Sequence, residues 1–269
     1  AKGMKKYATG YDIEIRSAKE NIDFNQYDLI HAFGAYQNCD DIQSPVLKGI
    51  YNTNASIRNR PVSELMRELT EDATAITVPT SSMEKEIRSF GIDKPMYMLP
   101  EGVDIELFPY TPPPRSTLKV GWAGNPLRCY KRFALAQEAC NGICDLHVAD
   151  GTLSEAQVIE FYTSLDVILC TSEIGEGCPR PLIEAMSCGC FPVSFPVGVA
   201  PDIITHEQSG LLVKDESIEG MHNALLWCHS HQGRIRSVRK DNHNFIADTR
   251  SWPTIAPTLT AIYDSVLQQ

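Results

Sequence analysis

Short runs of β-branched and aromatic residues alternate along this chain with segments whose apolar positions recur at helical spacing. Tyr11–Ile15, Tyr27–Phe33, Val46–Tyr51, Ala75–Val78 and Met96–Leu99 read as strands. Val62–Asp72 reads as a helix with Pro61 at its start, and Ser81–Phe90 as another. The latter carries a Ser81/Glu84 capping box and ends on Gly91. After Pro109-Tyr-Thr-Pro-Pro-Pro114, which can continue neither a helix nor a central strand, the alternation restarts. Leu118–Trp122, Asp145–Val148, Asp166–Cys170, Phe191–Phe195 and Gly210–Val213 are the next strands. Phe133–Cys140, Ser154–Ser164, Leu182–Ser187 and Ser217–His229 are the intervening helices, and Ile255–Leu267 is the last. Strands alternating with helices predict βαβ units and parallel sheets, hence an α/β fold of two Rossmann-like domains. The expected division is 1–108, a Pro-rich linker at 109–117, a second domain at 118–251 and a closing helix at 252–269. The first domain lacks an opening strand with a Gly-rich turn, so it reads as short or truncated.

The 269 residues suit two such domains, and 43% hydrophobic residues are enough for two cores. The longest apolar stretch, Cys188–Ile204, is broken by three prolines and two glycines, which excludes a membrane-spanning helix there. A net charge of −10 gives no footprint for non-specific nucleic-acid binding. Tyr7–Ile15 is too polar for the core of an export signal, and the nine cysteines are an odd number. Together these predict reduced thiols and a cytoplasmic protein, with peripheral membrane attachment as the alternative. Asn54-Ala-Ser56 fits a glycosylation pattern that such a compartment leaves unused.

Candidate chemistry concentrates between Thr171 and Gly189. An apolar strand there turns through Gly175 and Gly177 into a helix, an arrangement that aims backbone N–H groups at an anion such as a phosphate. Pro179 and Pro181 have no N–H, so Gly177, Cys178, Arg180 and Leu182 are the expected donors. Glu176 and Glu184 would repel a phosphate but suit sugar hydroxyls, one on each side of a diphosphate. Cys228-His-Ser-His231 and the Cys140/Cys144 pair lack the spacing of a structural zinc site, and no metal is expected. No Asp-x-Asp pair, dinucleotide fingerprint, P-loop or nucleophile elbow occurs.

Glu176, seven residues, Glu184 and then Ala-Met-Ser-Cys-Gly189 resembles the signature of retaining GT-B glycosyltransferases of the family 4 (group 1) type. The resemblance extends to Met98-Leu-Pro-Glu-Gly-Val-Asp104 with Phe108, Lys119–Asn125, Asp166–Ser172, Cys190–Val193, Gly210–Val213, Tyr27–Ala32 and Trp252. It implies two Rossmann-like domains facing a cleft, with a terminal helix crossing back to the first. It also implies sugar transfer from a UDP- or GDP-sugar to a hydroxyl acceptor, with no metal or other cofactor. Glu176 would then contact the donor sugar, Glu184 the ribose and Lys131 the diphosphate, with Arg128 as a second cation and Gly124 and Asn125 in the turn beneath. His31, at a strand's carboxyl end, is the catalytic candidate of the first domain. A saccharide or lipid-linked saccharide is the expected acceptor, with a modified DNA base as the alternative. A non-catalytic nucleotide-sugar binder and a nucleotide-sugar epimerase are the competing functions.

Overall fold

The computed structural model describes residues 2–17, 20, 22–33, 42–53, 61–113 and 117–268. They form two units: residues 1–102 with 252–269, and residues 103–251. Asn54 and Pro114 lie outside the described residues.

The first unit contains α1 (Lys2–Tyr7), β1 (Ile30–Phe33), β2 (Val46–Gly49), α2 (Val62–Thr70), β3 (Ala75–Val78), α3 (Ser81–Ser89) and β4 (Met96–Met98). Its strands form a parallel sheet in the order β1-β2-β3-β4. Alternate residues of β3 face opposite ways. Ile76 and Val78 join Leu65, Met66, Met83 and Ile87 from α2 and α3. Ala75 joins Leu47 and Leu99 on the other face, beneath the C-terminal helix. That helix runs Trp252–Leu267, and its apolar stripe of Ile255, Leu259, Ile262 and Val266 is buried in this cluster. A Cβ at Gly3 or Gly102 would stand 2.1 or 2.6 Å from the Trp252 ring, so two glycines let the indole lie against the backbone.

The strand expected at Tyr11–Ile15 is irregular. Its alternation has another cause: Tyr11 and Ile13 pack against the C-terminal helix, and the Tyr11 hydroxyl donates to Asp264. The cap of α3 is also one residue earlier than expected, because the Thr80 hydroxyl accepts from the Met83 N–H.

The second unit continues with β5 (Val120–Ala123), α4 (Phe133–Cys140), β6 (Leu146–Ala149), α5 (Glu155–Ser164), β7 (Val167–Cys170), α6 (Arg180–Ser187) and β8 (Phe191–Ser194). It ends with α7 (Ala200–Ile203), β9 (Leu211–Leu212), α8 (Ile218–Ser230), α9 (Gln232–Ser237) and α10 (Arg239–Arg250); Trp252–Leu267 is α11. All five strands are parallel, in the order β6-β5-β7-β8-β9. The central strands β5, β7 and β8 are buried at every residue, as a sheet covered on both faces requires.

The chain passes between units at 102–103, ahead of the proline-rich stretch. That stretch begins against the second unit: the Phe108 carbonyl accepts from the Ser187 hydroxyl, and Thr111 N–H donates to the Cys188 carbonyl. The sequence pattern missed α7, α9 and α10. At the start of α10, Arg239 is fully buried and donates to the carbonyls of Thr111, Leu165 and Cys188, joining three segments that end near one another. Asp166, also fully buried, is held by Arg236 from α9 through two hydrogen bonds.

Arg239→Met removes the donor that three carbonyls share, although the Cys188 carbonyl keeps its bond from Thr111 N–H. Unsatisfied buried acceptors cost about 1–3 kcal/mol each, so urea unfolding should show a loss of roughly 2–4 kcal/mol. A loss well under ~1 kcal/mol would mean that these carbonyls find other donors.

Candidate functional site

In the second unit the chain steps from β5 to β6 on one side and then crosses to β7 on the other. Strand order reverses between β5 and β7, the loops leaving their carboxyl ends diverge, and ligands of α/β folds bind in the resulting crevice. Most sequence-predicted donor residues gather on these two loops. Gly124, Asn125, Arg128 and Lys131 follow β5; Glu176, Gly177 and Cys178 follow β7 and lead into α6 with Arg180 and Glu184.

Lys131 and Glu176 meet across the crevice, Lys131 Nζ donating to Glu176 Oε1. Both are nearly enclosed, with 8% and 7% of their surface exposed. A buried ion pair is retained only where its partners are well held, and several contacts hold these. Trp122 Nε1 donates to Thr171 Oγ1 (3.1 Å), which donates to the Lys131 carbonyl (2.7 Å). A side chain at Gly124 would stand 3.6 Å from Lys131 Cδ and 3.1 Å from the Trp122 ring, so glycine there leaves the lysine stem its room. Beneath the other loop, a Cβ at Gly198 would lie 2.2 Å from the Glu176 carbonyl oxygen and 2.3 Å from that of Gly177. Gly198 also has φ +52°, a left-handed conformation that suits glycine.

One carboxylate oxygen is left over. Glu176 Oε2 is buried and has no hydrogen-bond partner among the described residues. An unpaired buried acceptor costs about 1–3 kcal/mol, which a donating ligand hydroxyl would recover.

Glu184, on the inner side of α6, is 9% exposed. Its Oε2 accepts from the buried Tyr162 hydroxyl (3.0 Å) and its Oε1 from Arg180 (2.9 Å). Burial, followed by the Glu184 charge, raises the Tyr162 pKa well above its ordinary value, so this tyrosine remains a donor. The Arg180 side chain is 61% exposed. Each carboxylate oxygen accepts more than one hydrogen bond, so Glu184 retains capacity for a ligand.

Two expectations of the sequence look different in place. Arg128 is exposed and donates to the Tyr130 hydroxyl (3.0 Å), so Lys131 is the cation that reaches Glu176. Leu182 N–H bonds to the Pro179 carbonyl within the first turn of α6, which uses one of the four expected amides. Asn125 shapes the β5 turn, its side chain accepting from Leu127 N–H. Among the described residues no cluster of three or more His, Cys, Asp or Glu could hold a metal ion, and no helix is long and apolar enough to cross a membrane. Burial raises the Cys170, Cys188 and Cys190 thiols, which lie within the core beside the sheet. Tyr162 and Thr171 escaped the sequence reading; neither sits in a recognisable spacing with the group it positions.

In the first unit, His31 lies at β1 with one ring nitrogen 3.0 Å from the Tyr263 hydroxyl and the other 3.2 Å from Thr77 Oγ1. Both nitrogens are engaged by groups of that unit.

Residues 141–252 match the family model described as glycosyl transferases group 1. No curated protein matches the chain. Among solved structures, sucrose-phosphate synthase from Thermosynechococcus elongatus superposes with a TM-score of 0.73 at 17% identity, over 90% of this chain and 74% of that one. HepE from Anabaena in complex with UDP-glucose gives 0.75 at 14% identity, over 90% and 79%. A glycosyltransferase from Rickettsia africae gives 0.67 at 13% identity, over 91% and 78%. The fold is therefore that of the GT-B glycosyltransferases, two parallel-sheet α/β domains, and the group 1 resemblance holds over the segment that carries Glu176 and Glu184.

Burial holds the His31 imidazole down at about 3, against an ordinary value near 6.5. Below pH ~6.5 the unfolded chain takes up the proton and the folded chain does not, so this group lowers stability as pH falls towards about 3 and has no effect above ~6.5. Urea unfolding at neutral and mildly acid pH should therefore show a smaller acid decline for His31→Gln than for the wild type. Equal declines would mean that His31 is protonated in the folded state.

Proposed function

We propose that this protein transfers a sugar from a nucleotide-sugar donor to a hydroxyl acceptor with retention of configuration, and that UDP-glucose is the first donor to test. The observation that carries the reading is the unpartnered Glu176 Oε2 beside Lys131 at the β5/β7 crevice. A sugar hydroxyl answers the first and a diphosphate the second. The group 1 match over residues 141–252 and the UDP-glucose bound in the Anabaena HepE structure support the choice of donor class.

On this reading the diphosphate competes with Glu176 for Lys131 Nζ. As the bond from the anomeric carbon to the diphosphate oxygen breaks, negative charge builds on that oxygen, and Lys131 stabilises it without a metal ion. Gly177, Cys178 and Arg180 lie at the start of α6, whose positive end favours the same charge. The acceptor hydroxyl bonds to the anomeric carbon on the face the diphosphate leaves, and its proton passes to the departing oxygen. Glu176, relieved of its partner, accepts from the donor sugar's hydroxyls, and Glu184 accepts from the ribose. The acceptor proposed is a saccharide or lipid-linked saccharide.

The two glutamates should fail differently. The donor sugar changes shape and charge during transfer, so Glu176→Gln should lower kcat, whereas the ribose does not change and Glu184→Gln should raise KM with kcat nearly intact. A charge-assisted hydrogen bond of about 1.5–3 kcal/mol makes each loss roughly tenfold to a hundredfold. Steady-state UDP release from UDP-glucose in the presence of a saccharide acceptor, measured with EDTA present, reads both. Full activity in both variants would reject the roles. Tight donor binding without turnover would favour a non-catalytic binder.

A further inference from the structure

Three non-glycine residues among those described have positive φ: Arg132 (+48°), Glu207 (+61°) and Glu216 (+48°). Residues bearing a Cβ adopt this left-handed conformation at a steric cost, and two of these three are partners of each other. Arg132 NH1 donates to Glu216 Oε2 at 3.4 Å and lies 3.5 Å from the Glu216 carbonyl. Arg132 Nε donates to Glu173 Oε1 at 3.2 Å, and the guanidinium carbon sits 5.5 Å from the centre of the Phe195 ring. One side chain thus ties the loops that follow β5, β7 and β9.

Arg132 is also the hinge between two helical pieces. It ends the 3-10 turn Cys129–Lys131 and precedes the first residue of α4. A right-handed conformation here would run the turn straight into the helix and rotate Lys131 about the helix axis. The left-handed step breaks that continuity, and Thr171 Oγ1 bonds to the carbonyls of both Lys131 and Arg132 at the break. We propose that Arg132 is a positioning residue: its bracket to Glu173 and Glu216 holds the backbone in the left-handed conformation that delivers Lys131 to Glu176 and to the donor's diphosphate. The first half of this statement concerns the protein alone; the diphosphate rests on the function proposed above.

Lysine acetylation followed by mass spectrometry separates the two. Lys131 is buried and Lys85, in the other unit, is exposed, so their labelling ratio reports whether Lys131 has left its place. Arg132→Gly keeps the left-handed backbone accessible but removes the bracket. It should raise the Lys131/Lys85 ratio at least tenfold while urea unfolding remains cooperative. Glu216→Gln, which opens one arm, should raise it less, and the double variant should add little to Arg132→Gly, because the two residues act through one contact. UDP affinity measured on the same proteins should fall in the same order. A ratio in Glu216→Gln and Arg132→Gly within twofold of wild type overturns the proposal. Unchanged UDP affinity in variants with a freed Lys131 removes the diphosphate from its role and leaves Arg132 as the residue that seats the lysine. If wild-type protein binds no UDP, the donor reading fails while the labelling still decides for or against Arg132.

Discussion

A buried lysine and a buried glutamate, 45 residues apart in the sequence, join the two loops that diverge at the second unit's strand reversal. Enclosing two charges costs several kcal/mol each in desolvation, and their attraction roughly offsets it, so such a pair adds little net stability. Its effect is on geometry. Lys131 must leave the 3-10 turn in one direction, which the carbonyl clamp of Thr171 and the left-handed step at Arg132 impose. Glu176 must come over Gly198, where no other residue fits beneath the loop. Remove either charge and the remaining one is buried alone, which is why the surrounding residues are small, backbone-bonded or enclosed.

The sheet makes this arrangement available. Parallel strands covered on both faces bury every residue of β5, β7 and β8, so function is left to the loops at their carboxyl ends. Ligands of such folds bind beside the strand reversal, and it is there that Lys131 and Glu176 meet. Arg239 and Asp166 act on the opposite side of the same problem. They fix where α9 and α10 meet the proline-rich segment and the start of β7, through hydrogen bonds to buried carbonyls and between Arg236 and the Asp166 carboxylate.

Much of this was legible in the amino-acid order, for identifiable reasons. Buried parallel strands read as continuous apolar runs, and glycine turns mark their ends, so the strands of the second unit stood out. Glu176 and Glu184 are close in sequence and frame one strand–turn–helix unit, so their relation is local. What escaped depends on distant partners. Helix α10 carries buried Arg239 and Asn242, polar residues that hide the helical stripe because their partners are backbone carbonyls of remote segments. Tyr11–Ile15 alternates like a strand because it packs on α11, more than two hundred residues away. Arg132 looks like an ordinary helix-start residue until the φ values and its carboxylate partners, 41 and 84 residues on, are known. Arg128 shows the converse: a cation near the expected place in the sequence whose side chain turns to Tyr130.

On the proposed function, the Lys131–Glu176 pair opens to receive a nucleoside diphosphate sugar. A crystal structure of the protein with UDP tests it most directly. The expected result is a phosphate oxygen within hydrogen-bond distance of Lys131 Nζ, the Lys131–Glu176 contact lengthened or broken, and a ribose hydroxyl on Glu184. UDP bound away from the β5/β7 loops, or bound there with the ion pair intact and its phosphates on other residues, would contradict it.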